Sequence, residues 1–293
     1  MKFNKKLLIL FVILLSFLVL ILCSLASTST PIEASYAIIV GVNNYIDPMI
    51  PNLNFCIADA QDIMNTLLNS TMWSSENIVY LPNATKTDIE NAIEHVKVKI
   101  EPDGLILFYF SGHGNLSPDG SRAYICPADS SYTSFANDIE DDELERWLDG
   151  IPTSRRCVIL DTCFSGTFIE KPPPDLIIRT YLKKGQEPTI ALAGTGFFIK
   201  LSKAGYVLLT ACDDNEYSYE HPDLKNGVFT YYLDEGFNSP YEADINSNQE
   251  ISAKEIYHCS DPKVTDFVRD FFNKEQHPQI YDGYSGELTL KTY

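Results

Sequence analysis

Short, unbroken apolar runs are the feature that most constrains the fold of this chain. They occupy residues 36–42, 105–110, 157–160 and 206–209. Runs of strand length that are apolar at every position are typical of strands covered on both faces, whereas strands with one wet face alternate. The segments at residues 58–68, 87–96 and 141–148 have helical spacing. The sequence therefore predicts an α/β fold, with a mostly parallel β-sheet and helices on both faces.

The rest of the chain adds shorter elements and one clear break. Strands are predicted at residues 77–81 and 124–126, helices at 229–237 and 264–272, and extended pieces at 278–281 and 288–290. Thr87 and Glu90 are interpreted as a capping box that opens the helix ending near residue 96. Three consecutive prolines at 172–174 cannot continue a helix or a central strand, so residues 167–203 are predicted to be a surface linker.

The first 26 residues have the organisation of an export signal. Lys2, Lys5 and Lys6 precede an apolar run over residues 7–22, and the small-residue site Ser24-Leu25-Ala26 follows it. The run is long for a cleaved signal and close to the ~20 apolar residues that a membrane span needs. Two alternatives are left open: a cleaved signal peptide, or a membrane anchor within residues 7–26, with residues 27–34 as a linker. In both, the rest of the chain is expected to be extracytoplasmic, either secreted or anchored to the membrane.

Composition argues against a nucleic-acid-binding protein. The chain carries 40 acidic and 22 basic residues, a formal net charge of −18. Nucleic acids are bound through clustered Lys and Arg, so no nucleic-acid partner is expected. A hydrophobic content of 45% is typical of packed globular proteins. The cysteines show neither a zinc-type pair nor a disulfide framework, and most are interpreted as small buried hydrophobes.

Two of the apolar runs end in a reactive side chain beside glycine. Residues 105–110 lead into Ser111-Gly112-His113-Gly114, and residues 157–160 lead into Asp161-Thr162-Cys163. If the two strands are neighbours in a parallel sheet, His113 and Cys163 emerge at the same edge, where active sites form. An imidazole within hydrogen-bond reach activates a thiol, so Cys163 is the candidate nucleophile and His113 its acid/base partner. The backbone N–H groups of Gly114 and Cys163 are candidates for an oxyanion hole.

These two motifs, Tyr-Phe-Ser-Gly-His-Gly at 109–114 and Leu-Asp-Thr-Cys-Phe-Ser-Gly at 160–166, resemble the signature motifs of metacaspases and their prokaryotic caspase-like relatives. Further similar segments lie at residues 38–45, 209–213 and 276–281, and the resemblance extends over about residues 36–290. It implies a cysteine endopeptidase with a Cys/His dyad on a caspase–hemoglobinase fold. No cofactor would be required for the chemistry.

The resemblance also implies how the domain is divided. One peptidase domain is expected over residues 35–293, with a large-subunit-like part at 35–166, a cleavable linker at 167–203 and a small-subunit-like part at 204–293. Lys171, Arg179, Lys183 and Lys184 lie in this linker, and self-cleavage is predicted between residues 171 and 203. The resemblance to metacaspases implies a monomer rather than a dimer of the caspase type.

Specificity follows from the same resemblance. Metacaspases cleave peptide and protein substrates after Arg or Lys and line the pocket with acidic residues. Asp161, two residues before the nucleophile, would be one pocket acid, and Asp59 a second, near Cys56 and Ser111. Taken alone, Asp161 can also be interpreted as a helix or loop cap, and Asp59 as part of a solvated helix face. We prefer the pocket for Asp161 because a charge beside a nucleophile is rarely accidental.

Calcium is a further expectation, at two places. The family site would use Asp141 and Asp142, with Glu170 as an additional ligand, although Arg122 stands where another acid is expected. Residues 244–255 match an EF-hand-like loop, with candidate ligands at Asp244, Asn246, Asn248 and Glu255. Gln249 stands in this loop where glycine is wanted. The alternative for the second place is an Asn-rich surface turn that caps a helix.

Two other functions compete with this one. A catalytically silent interaction or sensor module could use the same fold, but retention of both Cys163 and His113 favours the enzyme. A legumain-like or gingipain-like peptidase would keep the dyad and cut a different bond, so the cleaved residue discriminates it.

Overall fold

The computed structural model describes residues 34–117, 119, 121–162, 177–178, 201–213 and 216–293, and for residues 177–178 the backbone alone. The helices are α1 Cys56–Leu68, α2 Lys86–Lys97, α3 Asp141–Asp149, α4 Val228–Asn238, α5 Pro240–Ala243 and α6 Ala253–Phe272. The strands are β1 Ser35–Gly41, β2 Trp73–Pro82, β3 Leu105–Ser111, β4 Gly114–Leu116, β5 Ala123–Ile125, β6 Ile139–Glu140, β7 Arg155–Asp161, β8 Ile177–Ile178, β9 Tyr206–Thr210, β10 Tyr219–His221, β11 Asn226–Gly227, β12 Glu250–Ser252, β13 Gln279–Asp282 and β14 Thr289–Thr292.

The main sheet has six strands in the order β13-β9-β7-β3-β1-β2. Strands β1, β2, β3, β7 and β9 are parallel, and β13 pairs antiparallel with β9 at one edge. The predicted fold class, a mostly parallel sheet in an α/β domain, is confirmed. Smaller sheets join β4-β5-β6, β11-β10-β8 and β12-β14.

Successive side chains of each central strand enter two different cores. Ile38 and Val40 of β1 belong to the core that includes α2 and α3. Ala37 and Ile39 belong to the core that includes α1, α4 and α6. Because both faces of the strand are covered, every position is apolar, and this is why the runs show no alternation.

The register of the sheet determines what meets at its carboxyl edge. Gly41 of β1 pairs with Ser111 of β3, and Ser111 pairs with Asp161 of β7. The carboxyl ends of β3 and β7 therefore lie side by side at this edge, as the sequence predicts for neighbouring parallel strands.

The structure corrects the predicted start of helix α6. The sequence places a helix at residues 264–272 after a polar loop, but the helix begins at Ala253 and runs for 20 residues. Ser252 caps it, since its hydroxyl accepts from the Glu255 N–H while the Glu255 carboxylate accepts from the Ser252 N–H. Pro262 lies inside the helix and interrupts the local helical pattern without ending it.

The start of α2 is also corrected. The sequence interpretation uses Thr87 and Glu90 as the capping box, whereas Thr85 is the N-cap and pairs with Asp88. The side chain of Thr85 accepts from the Asp88 N–H at 3.2 Å. The observed capping box therefore begins two residues before the predicted one.

No helix in the described ranges is long and apolar enough to cross a membrane. The predicted signal or anchor, residues 1–26, lies outside those ranges. Residues Ala34–Tyr293 form one compact unit.

Candidate active site at the carboxyl edge of the sheet

His113 lies two residues beyond β3 and is fully buried. Its Nε2 is 2.8 Å from the carbonyl oxygen of Pro51. A carbonyl oxygen only accepts, so Nε2 carries the proton of a neutral ring and Nδ1 is the nitrogen that can accept one. The geometry therefore orients the imidazole for general acid/base chemistry through Nδ1.

Tyr45 fixes the backbone of the same histidine. Its hydroxyl accepts from the His113 N–H at 2.9 Å, and its ring lies 5.0 Å from the imidazole, centroid to centroid. Sequence reasoning missed both Tyr45 and Pro51 as site residues. Tyr45 closes the segment at residues 38–45 that resembles metacaspases, which was an available signal, but nothing local marks Pro51.

Asp59 is held at the same edge by neutral donors from two other elements. It lies in the first turn of α1 and is completely buried. The Ser111 hydroxyl donates to Asp59 Oδ2, and the Gly227 N–H donates to Asp59 Oδ1, each at 2.8 Å. The interpretation of Asp59 as a solvated helix face is therefore wrong.

Asp161, the last residue of β7, is also completely buried. Its Oδ1 accepts from the Ser218 hydroxyl at 2.7 Å. Its Oδ2 accepts from the hydroxyl and the N–H of Thr230, at 2.5 and 3.2 Å. Ser111 lies beside both aspartates, because its backbone pairs with that of Asp161 across the sheet and its hydroxyl donates to Asp59. The structure thus brings Asp59, Ser111 and Asp161 together.

Cys56 is the first residue of α1 and is buried beside a third carboxylate. Its Sγ lies 3.4 Å from Glu220 Oε1. Glu220, on β10, is completely buried and accepts from the Asn54 and Phe55 N–H groups, each at 3.0 Å. Sequence reasoning missed Glu220, since no motif marks it.

The predicted oxyanion donors are only partly described. Gly114 begins β4, is buried and pairs with Ile125. Cys163 lies outside the described residues, which end on that side at Thr162. The assignment of Cys163 as nucleophile therefore stays a prediction, as does the use of its N–H group.

Of the cysteines in the described residues, Cys56, Cys126, Cys157 and Cys212 are buried, as the sequence predicts for most of them, whereas Cys259 is half-buried. Cys157 lies within β7, and its burial raises the pKa of the thiol. A thiol whose ionisation is disfavoured makes a poor nucleophile at neutral pH. Cys126 is buried as well. Both are consistent with packing roles.

The first predicted calcium ligands do not form a metal site among the residues that the structure describes. Asp141 is buried and Asp142 exposed at the start of α3, and Asp141 Oδ1 accepts from the Asp142 N–H. Arg122 Nη1 lies 3.5 Å from Glu140 Oε1, which places a cation in this neighbourhood. Glu170 is outside the described ranges. Calcium binding by Asp141, Asp142 and Glu170 therefore stays a prediction.

The second predicted loop is closed by its own hydrogen bonds. Asp244 accepts from the N–H groups of Asn248 and Gln249, and Glu255 accepts from the Asn246 N–H. Gln249 has a left-handed φ of 68°, the conformation for which glycine is preferred. Among the described residues, this loop included, no three His, Cys, Asp or Glu side chains cluster so that they could hold a metal ion. The arrangement fits a turn that leads into α6.

Comparison with known proteins decides the family. A family model described as Caspase domain matches residues 34–288, most of the chain. The chain belongs to the caspase-domain family. Metacaspases, which are cysteine peptidases, are among the relatives to which the chain is similar. Peptidases of this kind need no cofactor for their chemistry.

Two relatives illustrate the likeness of this caspase-domain chain. Metacaspase-1A of Aspergillus terreus is 29% identical over 154 residues, covering 46% of this chain and 37% of the relative. Metacaspase-1 of Saccharomyces cerevisiae is 29% identical over 176 residues, covering 53% of this chain and 38% of the relative. The aligned region thus spans well under half of either relative.

A solved structure of a Geobacter sulfurreducens protein matches with a TM-score of 0.61. The match covers 86% of this chain and 94% of the other, at 19% sequence identity. At this identity the likeness is one of fold.

Proposed function

We propose that this chain is a cysteine endopeptidase that cleaves after Arg or Lys, with Cys163 as nucleophile and His113 as acid/base. One observation carries the proposal: Asp59 and Asp161 are both buried beside Ser111, at the sheet edge that also holds His113. Family membership supplies the reaction type.

The chemistry would follow the acyl-enzyme route. The Cys163 thiolate attacks the scissile carbonyl carbon, and protonated His113 gives its Nδ1 proton to the departing amine as the C–N bond breaks. Water then attacks the thioester with His113 as base, and the carboxylate product leaves as the thiol is restored. The Pro51 carbonyl supports the protonated ring through Nε2. Backbone N–H groups of Gly114 and Cys163 are proposed to bind the oxyanion.

The preference for basic residues rests on charge. Burying a carboxylate is costly unless it is hydrogen-bonded or paired, and neutral donors satisfy a carboxylate less well than a cation does. Two such carboxylates in one place match a guanidinium or an ammonium group, and they would repel an acidic side chain. Cys56 and Ser111 are proposed to complete the pocket.

Self-processing is supported by the placement of β8. Ile177 and Ile178 pair antiparallel with Glu220 and Tyr219 of β10, so this piece of the linker extends along the strand that carries Glu220. An extended substrate peptide would add to a strand in the same way. Arg179, a cleavable residue, directly follows Ile178 in the sequence.

Location and assembly are proposed from sequence alone. We propose that residues 1–26 export the chain and leave it secreted or anchored through residues 7–26, and that the chain acts as a monomer. Fractionation with N-terminal sequencing tests the first proposal, and light scattering tests the second. The proposed mechanism has no step that uses calcium.

The deciding experiment is hydrolysis of fluorogenic peptides that end in Arg, Lys, Asp or Asn. The full chain is compared with Cys163→Ala under reducing conditions, once with calcium and once with a chelator. We expect cleavage after Arg or Lys that is lost in the variant. Comparison of the reactions with calcium and with chelator tests calcium stimulation.

Two other results would overturn parts of the proposal. Cleavage after Asp or Asn keeps the dyad but rejects the acidic pocket, in favour of a legumain-like specificity. Absence of cleavage in every reaction rejects the proposed peptidase activity and favours a silent interaction module.

A further inference from the structure

The segment that orients His113 is an exposed loop. Pro51, Asn52 and Asn54 are solvent-exposed, although Ile50 and Leu53 are buried beside them. The Pro51 carbonyl nevertheless meets the imidazole at 2.8 Å. Because packing covers only part of this loop, its hydrogen bonds must determine where that carbonyl lies.

Part of this bonding comes from nearby in the chain. Asn43 Nδ2 donates to the Asn54 carbonyl at 2.8 Å, and the Leu53 N–H donates to the Asn43 carbonyl at 2.9 Å. The Asn52 side chain accepts from the Tyr45 N–H at 3.0 Å. These contacts attach the loop to the segment that follows β1.

A further hydrogen-bonded contact comes from a residue that is distant in the sequence. Glu220 is 166 positions beyond Asn54, yet its Oε2 accepts from the Asn54 N–H and its Oε1 from the Phe55 N–H. Both oxygens are thus used on adjacent N–H groups at the start of α1. A carboxylate is favoured there by the positive end of the helix dipole.

We propose that Glu220 is a positioning residue of the peptidase, which holds the loop at 51–55 so that the Pro51 carbonyl stays against His113. The proposal rests on the proposed function. Glu220 lies in the small-subunit-like part, and its contact with the loop at 51–55 connects that part to the large-subunit-like part beside the catalytic histidine. Cleavage of the linker between them would leave this contact intact as long as the two parts stay assembled.

The chemistry of the side chain makes the proposal testable by a small change. Glu220→Gln keeps the size, but it replaces one acceptor oxygen with an NH2 group that faces an N–H donor. One of the two loop contacts is then lost. Glu220→Asp keeps both acceptor oxygens on a stem shorter by one methylene. Asp223→Asn, at an exposed position on the turn after β10, is the matched control.

The measurement is kcat and KM on an Arg peptide and a neutral peptide, with a pH profile and a melting curve for each full-length variant. We expect Glu220→Gln to lower kcat about 10- to 100-fold on both peptides, since small misplacement of a catalytic group has effects of this size. KM should change little. The Pro51 carbonyl stabilises the protonated ring of His113, and the variant weakens this contact. The alkaline limb of the kcat profile should therefore move to lower pH. Glu220→Asp should recover part of kcat.

Three results would overturn the proposal. A kcat for Glu220→Gln equal to that of Asp223→Asn would show that the tie is dispensable. A loss confined to the Arg peptide would make Glu220 a pocket acid instead. A loss that follows the melting curve in both Glu220 variants, with an unmoved pH profile, would make its role structural. If the unaltered chain is no more active than Cys163→Ala, the proposed function itself fails.

Discussion

Nε2 of His113 lies 2.8 Å from the carbonyl oxygen of Pro51, although 62 positions separate the two residues. The contact determines which ring nitrogen is available for proton transfer. It also makes the exposed loop at 51–55 part of the catalytic machinery, through a main-chain atom that any residue type could supply. A side-chain motif does not report such a partner.

The first prediction concerns His113 itself. His113→Gln should lower kcat on an Arg peptide at least about 100-fold, because positioned acid/base catalysis contributes rate factors of this order. Steady-state kinetics checks the result, with His258→Gln as control, since His258 is exposed on α6. Retention of more than about a tenth of kcat would contradict the assignment.

The second prediction tests the pocket. Asp161→Asn should lower kcat/KM for Arg peptides by about 30-fold or more, because removing one partner of a buried charged pair costs about 2–5 kcal/mol. The ratio of Arg to neutral-peptide cleavage should fall with it. Asp103→Asn, at an exposed position before β3, is the control. A lowered melting temperature with an unchanged ratio would instead mean that Asp161 only holds Ser218 and Thr230.

The third prediction concerns processing. On incubation the active chain should split between residues 171 and 203, where basic residues lie in the linker. Gel electrophoresis and N-terminal sequencing of the fragments identify the bond. Cys163→Ala should stay intact, and Arg269→Gln, outside the linker, should be cut as before. A single intact band after long incubation of active enzyme contradicts the prediction.

The fourth prediction is a pH dependence of stability. The hydrogen bond from His277 to Glu216 raises the pKa of the imidazole, with burial opposing and nearby carboxylates assisting. A raised pKa in the folded state gives stability that is full below the unfolded value, about 6.5, and is lost as pH rises through the folded value. Glu216→Gln should therefore lower the melting temperature more at about pH 5.5 than at about pH 9.

The control for this pH dependence is Glu287→Gln, at an exposed position before β14. Some loss in Glu216→Gln should persist at high pH, because Glu216 also accepts from the His277 N–H. An equal loss at both pH values would show that the charge on His277 contributes nothing.

The fifth prediction tests the capping of α6. Ser252→Ala should destabilise the fold by about 1 kcal/mol, the usual cost of losing an N-cap side chain. Denaturant unfolding measures it. Ser239→Ala is the matched control, because Ser239 occupies the N-cap position of α5 without a side-chain cap hydrogen bond. Equal effects of the two substitutions would reject the capping role.

The fold class could be predicted from the sequence because burial on both faces leaves a local trace. Residues 36–42 and 105–110 are apolar throughout, and β1 and β3 are the strands they form. The position of His113 after β3 follows from the same pattern. Helix α6 could not be bounded in this way, because Pro262 interrupts its pattern while tertiary packing and the Ser252 cap maintain the helix.

The sequence by itself determined the strands of the main sheet, the edge of that sheet where function collects, and the residue types that stand there. Tertiary structure decided the partners: Pro51 for His113, Ser218 and Thr230 for Asp161, and Glu220 for the loop at 51–55. The physical reason is how far apart the interacting residues lie along the chain. A strand is specified by neighbouring residues through burial, whereas a hydrogen bond between groups 57 to 166 positions apart exists only once the chain has folded.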